Sequence, residues 1–310
     1  VRRNRHDMTL ALLCSGQGRQ DRGMFDLFAN EPAAAPIFTD ASALLGQDIA
    51  TLLRTASDAD LYANRTSQIL CVARGLAAAA SLKRTEPHLV AGYSVGEMTA
   101  WGVAGVWTPE RTLRLTAVRA EAMDAVSGVD DCLGFIRGLT REHVAALVVQ
   151  FDCAIAIVNP AHLFIIGGNR ADVERCCIAA LEESAVAARV IAVRIASHTM
   201  RLSSAVAPFR RALDASEPSR PRQGCTLLGA SNASIVSGNR DIPGLASQID
   251  TTVDWAATLE ALVERGADRI LELGPGTALA DMIRASYPRL DVRSVDDFRS
   301  WNGIVNWSAR

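Results

Sequence analysis

Four short apolar runs, LALLC at 10–14, LVAGY at 89–93, ARVIAV at 188–193 and RILEL at 269–273, each stop at turn residues, with stretches of helical periodicity between them. Runs this short are of strand length, and the segments at 67–83, 109–126, 256–265 and 277–286 carry apolar residues at helix spacing. A chain that alternates strand and helix in this way covers its sheet with helices, which predicts an α/β fold with a largely parallel sheet. Ligands in such folds bind beyond the carboxyl ends of the strands, so residues that follow strands are the places to search for chemistry.

Between about 130 and 196 the rhythm changes to LGFIRGL, helix, CAIAIVN, a Pro-Ala turn, LFIIGG, helix, ARVIAV, a β-α-β-β-α-β order. The fold class expected is therefore α/β: a large α/β-hydrolase-like domain with a mainly parallel sheet, residues 8–129 and 197–310, and an inserted small ferredoxin-like subdomain, residues 130–196. With 310 residues, 49% of them hydrophobic, the chain can bury a core of that size. The 32 Lys and Arg balance 34 Asp and Glu with no long run of either sign, which argues against nucleic acid or a membrane surface as the main partner. The basic start VRRNRHDMTL is followed by too short an apolar stretch for a signal peptide or a membrane span, and Met8 is a candidate natural start. Seven cysteines, an odd number without a CxxC pair, fit a reducing cytoplasm, and no Cys/His spacing suggests a metal.

Ser94 lies in GYSVGE, directly after the run LVAGY and before a helical stretch. In GxSxG the serine occupies a tight strand-to-helix turn whose flanking positions must be small because the backbone folds back on itself. The bland alternative is a glycine-flanked turn with a capping serine. A nucleophilic serine needs a base. Of the five histidines, His6 is in the N-terminal stretch, His88 is at the wrong end of the serine's own strand, His143 begins a charged helix and His162 is in the small subdomain's turn. His198, in RIASHTM after the run ending at Val193, is the candidate, with a structural turn histidine as the alternative. No histidine follows it, whereas α/β-hydrolases place theirs after the last strands, which weakens the ordinary esterase reading.

At about 100° per residue, Arg119 shares a helix face with Leu115, Val118, Ala122, Met123 and Val126, opposite Glu110, Glu121 and Asp124. A guanidinium on an apolar face either snorkels or pairs with an internal carboxylate, or it forms a fork for a substrate carboxylate. The turn CSGQGRQ at 14–20 is read as a surface turn, a phosphate loop or an oxyanion hole.

Taken together, these segments resemble the malonyl-CoA:acyl carrier protein transacylase family over residues 9–285. SGQGRQ corresponds to the family's PGQGSQ, GYSVGE to GHSLGE, RAEAM at 119–123 to its R-x-x-x-M segment, IASH at 195–198 to its histidine motif, QIDTTVDW at 248–255 to its Gln-to-Trp segment, and ELGPG at 272–276 to a turn near its C-terminus. The resemblance implies Ser94 as nucleophile, His198 as base, and the amides of Gln17 and Val95 as oxyanion hole. It implies Arg119 as holder of the malonyl carboxylate, Met123 as pocket lining, and Gln248 as the support of His198 through its main-chain carbonyl. It further implies no bound cofactor and no metal, malonyl-CoA as the thioester substrate, and as partner an acyl carrier protein with a phosphopantetheine-type arm.

Two positions depart from the pattern. Ser15 stands where the family has proline, which is expected to loosen the oxyanion turn, and Tyr93 stands where it has histidine. GYSVGE with AWGVAG just after it is most similar to the malonyltransferase subunit of bacterial malonate decarboxylase systems, which adds other subunits of that system as partners. The competing readings are the fatty-acid synthesis transacylase, a serine hydrolase or thioesterase using the same Ser94–His198 pair, and a carrier-binding domain that keeps only the fold.

Overall fold

The computed structural model describes residues 9–82 and 88–309. Residues 1–8, with His6 and the candidate start Met8, lie outside them, as do 83–87, where the helix expected over 67–83 ends, and Arg310.

Among the described residues there are ten strands: β1 (Thr9–Cys14), β2 (His88–Gly92), β3 (Asp131–Arg137), β4 (Ala154–Asn159), β5 (Leu163–Asn169), β6 (Ala187–Val190), β7 (Cys225–Leu227), β8 (Val253–Asp254), β9 (Ala267–Glu272) and β10 (Asp291–Ser294). The helices that frame the site and the smaller sheet are α1 (Asn64–Leu82), α2 (Gly96–Val103), α3 (Pro109–Asp124), α4 (Arg141–Gln150), α5 (Arg170–Glu182), α6 (Trp255–Glu264) and α7 (Ala278–Ser286). The larger sheet has the order β10-β9-β1-β2-β7, and every neighbouring pair in it is parallel. β1 is central and wholly apolar from Leu10 to Cys14, as a strand covered on both faces requires. The fold is thus mixed α/β with a mainly parallel principal sheet.

The smaller sheet has the order β6-β3-β5-β4-β8. Its first four strands pair antiparallel and are joined through α4 and α5 in the β-α-β-β-α-β sequence of a ferredoxin-like unit. The fifth, β8, pairs parallel with β4 and comes from chain well beyond residue 196. Alternation along β3 divides its side chains between two cores: Cys132 and Ile136 pack with Val144, Val173 and Cys177 from the covering helices, while Leu133 joins the core of the larger sheet.

The run ARVIAV behaves differently from its expected strand over 188–193. The strand stops at Val190 and pairs antiparallel with β3 in the smaller sheet. The reason is local: Val193 donates its N–H back to Ile191 at 2.8 Å, a three-residue turn that breaks the ladder, although Ile191 and Val193 still exchange bonds with Leu133. His198 therefore does not project from the carboxyl end of a parallel strand. It sits in a non-regular segment fixed by other contacts.

Helix α1 is buried without interruption from Ser67 to Ala78, a mostly apolar helix covered on all sides and packed under α2 and α3. The few polar groups on such a helix must find partners inside the protein, and Gln68 does so at the site described next.

Candidate active site

The elbow is built by two glycines. A Cβ on Gly92 would lie 2.2 Å from the backbone of Gly96, and one on Gly96 would lie 2.1 Å from the carbonyl oxygen of Cys14. Only hydrogen fits at either position. Between them Ser94 adopts φ 57°, a left-handed conformation rare for a side-chain-bearing residue and associated with functional turns. α2 starts immediately, with Glu97 N–H donating to Ser94 O at 3.0 Å. The hydroxyl is thereby held clear of the sheet, at the amino end of a helix.

His198 reaches that hydroxyl from the other side. Its Nε2 lies 2.7 Å from Ser94 Oγ, and its Nδ1 lies 2.6 Å from the main-chain oxygen of Gln248. The carbonyl can only accept, so Nδ1 carries the proton and Nε2 is free to take one from Ser94. His198 is itself left-handed, φ 62°, and its N–H donates to Ile249 O at 2.7 Å, so backbone and ring are both tied to residues 248–249. Burial, reinforced by the Arg119 charge, pushes the imidazole down to about 3. It is neutral at physiological pH.

Arg119 is 1% exposed, and among the described residues its direct partners are uncharged. Nη1 donates to Gln68 Oε1 at 2.8 Å and meets Met123 Sδ at 3.3 Å, and Nη2 donates to Gln248 Oε1 at 3.0 Å. Nε has no partner. The other end of the Gln248 amide donates to Glu97 Oε2 at 2.5 Å and to Ser94 O at 3.0 Å. Glu97 is also fully buried, accepts from Ala230 N at 3.1 Å, and is pushed up to about 7 by burial. Burial lowers the guanidinium to about 10, with Glu97 acting in the opposite direction, so Arg119 stays charged. One residue, Gln248, thus connects the histidine, the serine backbone, the acid and the guanidinium.

Gln68 and Glu97 have no role in the sequence reading. Their signal is faint but real: each is a polar residue inside a mostly apolar helix, QILCVARGLAAAA and GEMTAWGV.

The turn after β1 runs beside the elbow, since a Cβ on Gly16 would lie 3.0 Å from Tyr93 O and 3.5 Å from Ser94 Cβ. Among the described residues, neither the Gln17 nor the Val95 amide N–H is taken by a protein acceptor. Ser15 is tied to β9. Its hydroxyl donates to Glu272 Oε1 at 2.8 Å, a bond proline could not make. Tyr93 packs edge-on against Trp255, with centroids 5.3 Å apart. No group of three or more His, Cys, Asp or Glu among the described residues is placed to hold a metal ion.

Comparison with known proteins gives a consistent family. The family described as acyl transferase domain matches residues 11–294. The polyketide biosynthesis protein ThaF of Burkholderia thailandensis is 30% identical over 289 residues, 90% of this chain, and the chain spans only 24% of that protein's length. The malonyl CoA-acyl carrier protein transacylase of Haemophilus influenzae is 26% identical over 308 residues, 95% of this chain and 97% of its own. Among solved structures, the malonyl-transacylase complex PlMCAT:AntF, with a type II PKS acyl-carrier protein, is similar at TM-score 0.89 and 26% identity, covering 96% of this chain and 99% of the other.

Proposed function

The chain belongs to the acyl transferase domain family and is an acyltransferase, and from that premise we propose that it moves a malonyl group from malonyl-CoA to the phosphopantetheine-type thiol of an acyl carrier protein. The observation that carries this reading is the junction at Gln248, where the support of the base and a buried guanidinium meet on one residue. A hydrolase needs the base alone; a malonyl donor gives the guanidinium something to hold.

In the first half-reaction Ser94 Oγ attacks the thioester carbonyl while His198 Nε2 takes its proton. The negative oxygen of the tetrahedral intermediate accepts from the Gln17 and Val95 amides. The C–S bond then breaks, His198 returns the proton to the CoA sulfur, and a malonyl ester remains on Ser94. In the second half-reaction the carrier thiol gives its proton to His198 and attacks the ester. The C–O bond breaks, and the proton goes back to Ser94 Oγ. The substrate carboxylate replaces the amide oxygens of Gln68 and Gln248 at Arg119, a charge-assisted pair in place of neutral bonds. Met123, buried against the same guanidinium, lines that end of the pocket. No metal or bound cofactor takes part in this scheme.

We assign the carrier to a malonate decarboxylase system, with that system's other subunits as partners, on the motif GYSVGE followed by AWGVAG. A second reading, a carrier of fatty-acid or polyketide synthesis, is favoured by the names of the relatives. Presenting purified carriers of each kind to the malonylated protein separates the two by which one discharges it. All seven cysteines are free thiols, and we assign the protein to the cytoplasm on that ground. Among the described residues no helix is long and apolar enough to cross a membrane.

The test of the reaction is intact-protein mass after brief exposure to malonyl-CoA. The expected result is a single malonyl adduct that a carrier thiol removes. Rapid free malonate without adduct would make the protein a hydrolase, and no adduct or turnover would leave a binding module.

A further inference from the structure

β1 and β9 are neighbours in the larger sheet, with Leu13 opposite Glu272, so the residue after β1 meets the last residue of β9. Glu272 is fully buried, and its carboxylate accepts three bonds: from Ser15 Oγ at 2.8 Å, from Ala280 N at 2.8 Å and from Leu279 N at 3.3 Å. The two amides belong to the first turn of α7, which fixes the carboxylate in place. Ser15 is the one movable donor, and it begins the turn that carries Gly16 and Gln17 alongside Ser94. This acid has no part in the reaction as written above.

We propose that Glu272 is a positioning residue which, through the Ser15 hydroxyl, holds the Gln17 amide over Ser94. The inference rests on the reading of Gln17 as an oxyanion donor. An ionised carboxylate grips the hydroxyl more strongly than a neutral acid, so the grip depends on the charge of Glu272. Burial pushes Glu272 up to about 7, and Asp296 pushes in the same direction. Asp296 is itself paired with Arg74, and the Arg19 side chain lies against Gly276 in the same turn. The tether is therefore strong above pH 7 and slack below it. His198, held near 3, does not titrate in that window.

The test uses acylation of Ser94 by p-nitrophenyl acetate, which needs the oxyanion turn and not the carboxylate clamp. Rates are measured at pH 8 and pH 6 in wild type, Ser15→Ala and Ser15→Thr. At pH 8, Ser15→Ala should acylate about tenfold to a hundredfold more slowly with half-saturation within about twofold, and Ser15→Thr, which keeps the hydroxyl, should recover most of the rate. At pH 6 the gap between wild type and Ser15→Ala should close. Glu97 also titrates near 7 but is common to all three proteins and cancels in the ratio. If the alanine protein does not fold, Ser15→Cys, which keeps the volume and weakens the donor, carries the same comparison. No rate difference at pH 8, or a difference of equal size at both pH values, would overturn the proposal. A normal Ser15 effect in a protein that malonyl-CoA does not label would instead sink the malonyl assignment and leave this one standing.

Discussion

His198 Nδ1 donates to the main-chain oxygen of Gln248 at 2.6 Å, while the side chain of Gln248 accepts from Arg119 Nη2 at 3.0 Å. In the proposed reaction the base is steadied by a neutral carbonyl where a hydrolase triad uses a carboxylate, so the imidazolium it would form gains no countercharge there. A carbonyl is also proof against substitution of its own side chain. Gln248→Ala should therefore keep the tautomer of His198 and lower the acylation rate with a neutral ester by less than about tenfold. The same change strips partners from Arg119 and Glu97, two buried groups, and should cost about 3 to 5 kcal/mol of stability. Rates at matched folded fraction, with denaturant melts alongside, check both parts.

Ser94→Ala should show no malonyl adduct and an unchanged melting curve. His198→Ala should slow both half-reactions by roughly 10² to 10⁴, the usual worth of a positioned general base. Adduct mass and single-turnover rates measure these effects. Labelled protein in the Ser94→Ala variant would move the nucleophile elsewhere.

Arg119→Ala separates clamp from scaffold. Malonyl carries an anion and acetyl does not, so transfer from malonyl-CoA should fall while transfer from acetyl-CoA is kept or rises. Loss of a buried charge pair typically costs about 2 to 5 kcal/mol, which corresponds to a change in donor ratio of roughly 30 to several thousand. The quantity to measure is that ratio, in wild type and variant. A ratio that stays put would leave Arg119 as scaffold only.

The depressed histidine makes a prediction about stability. Between about pH 3 and pH 6.5 the unfolded chain binds a proton at His198 that the folded protein refuses. Folding stability at this residue is complete above pH 6.5 and is lost as pH falls, by up to about 1.4 kcal/mol per pH unit inside the window. Glu97 and Glu272, both raised from 4.5 to about 7, have the opposite sign: folded protein holds their protons where the unfolded chain does not, and stability is lost as pH rises from about 4.5 to 7. Comparing wild type with His198→Ala at pH 7 and pH 5 isolates the first contribution, because the acids are common to both. Wild type should lose more stability on acidification than the variant.

Much of this arrangement is legible in the chain. The elbow is written locally only in part: a Cβ on Gly92 would collide with the Gly96 backbone four residues on, whereas one on Gly96 would collide with the Cys14 carbonyl, brought alongside by the β1–β2 pairing. Strands β1, β2 and β9 are long enough to show as apolar runs. β7, β8 and β10 are two to four residues long and show no periodicity, and their place depends on the neighbour they pair with. The partners of Arg119 are also hidden: helix spacing puts the guanidinium on an apolar face, but Gln68 is 51 positions away in sequence and Gln248 is 129. Ser15 and Glu272, 257 positions apart, meet only because β1 and β9 lie side by side. Which polar groups meet is a property of the sheet order, not of any single segment.

Strand β8 gives the protein a property that matters to anyone recombining it. Val253 and Asp254 pair with Ile157 and Val158, so the smaller sheet is closed by a strand that follows Gln248 by five residues. A chimera that exchanges residues 130–196 for those of a relative keeps the host's β8 and must match its edge to a foreign β4. Any mismatch is felt first by the peptide that supports the histidine. The natural crossover unit therefore includes the stretch from 248 to 255, and libraries built without it will confuse lost docking with lost chemistry.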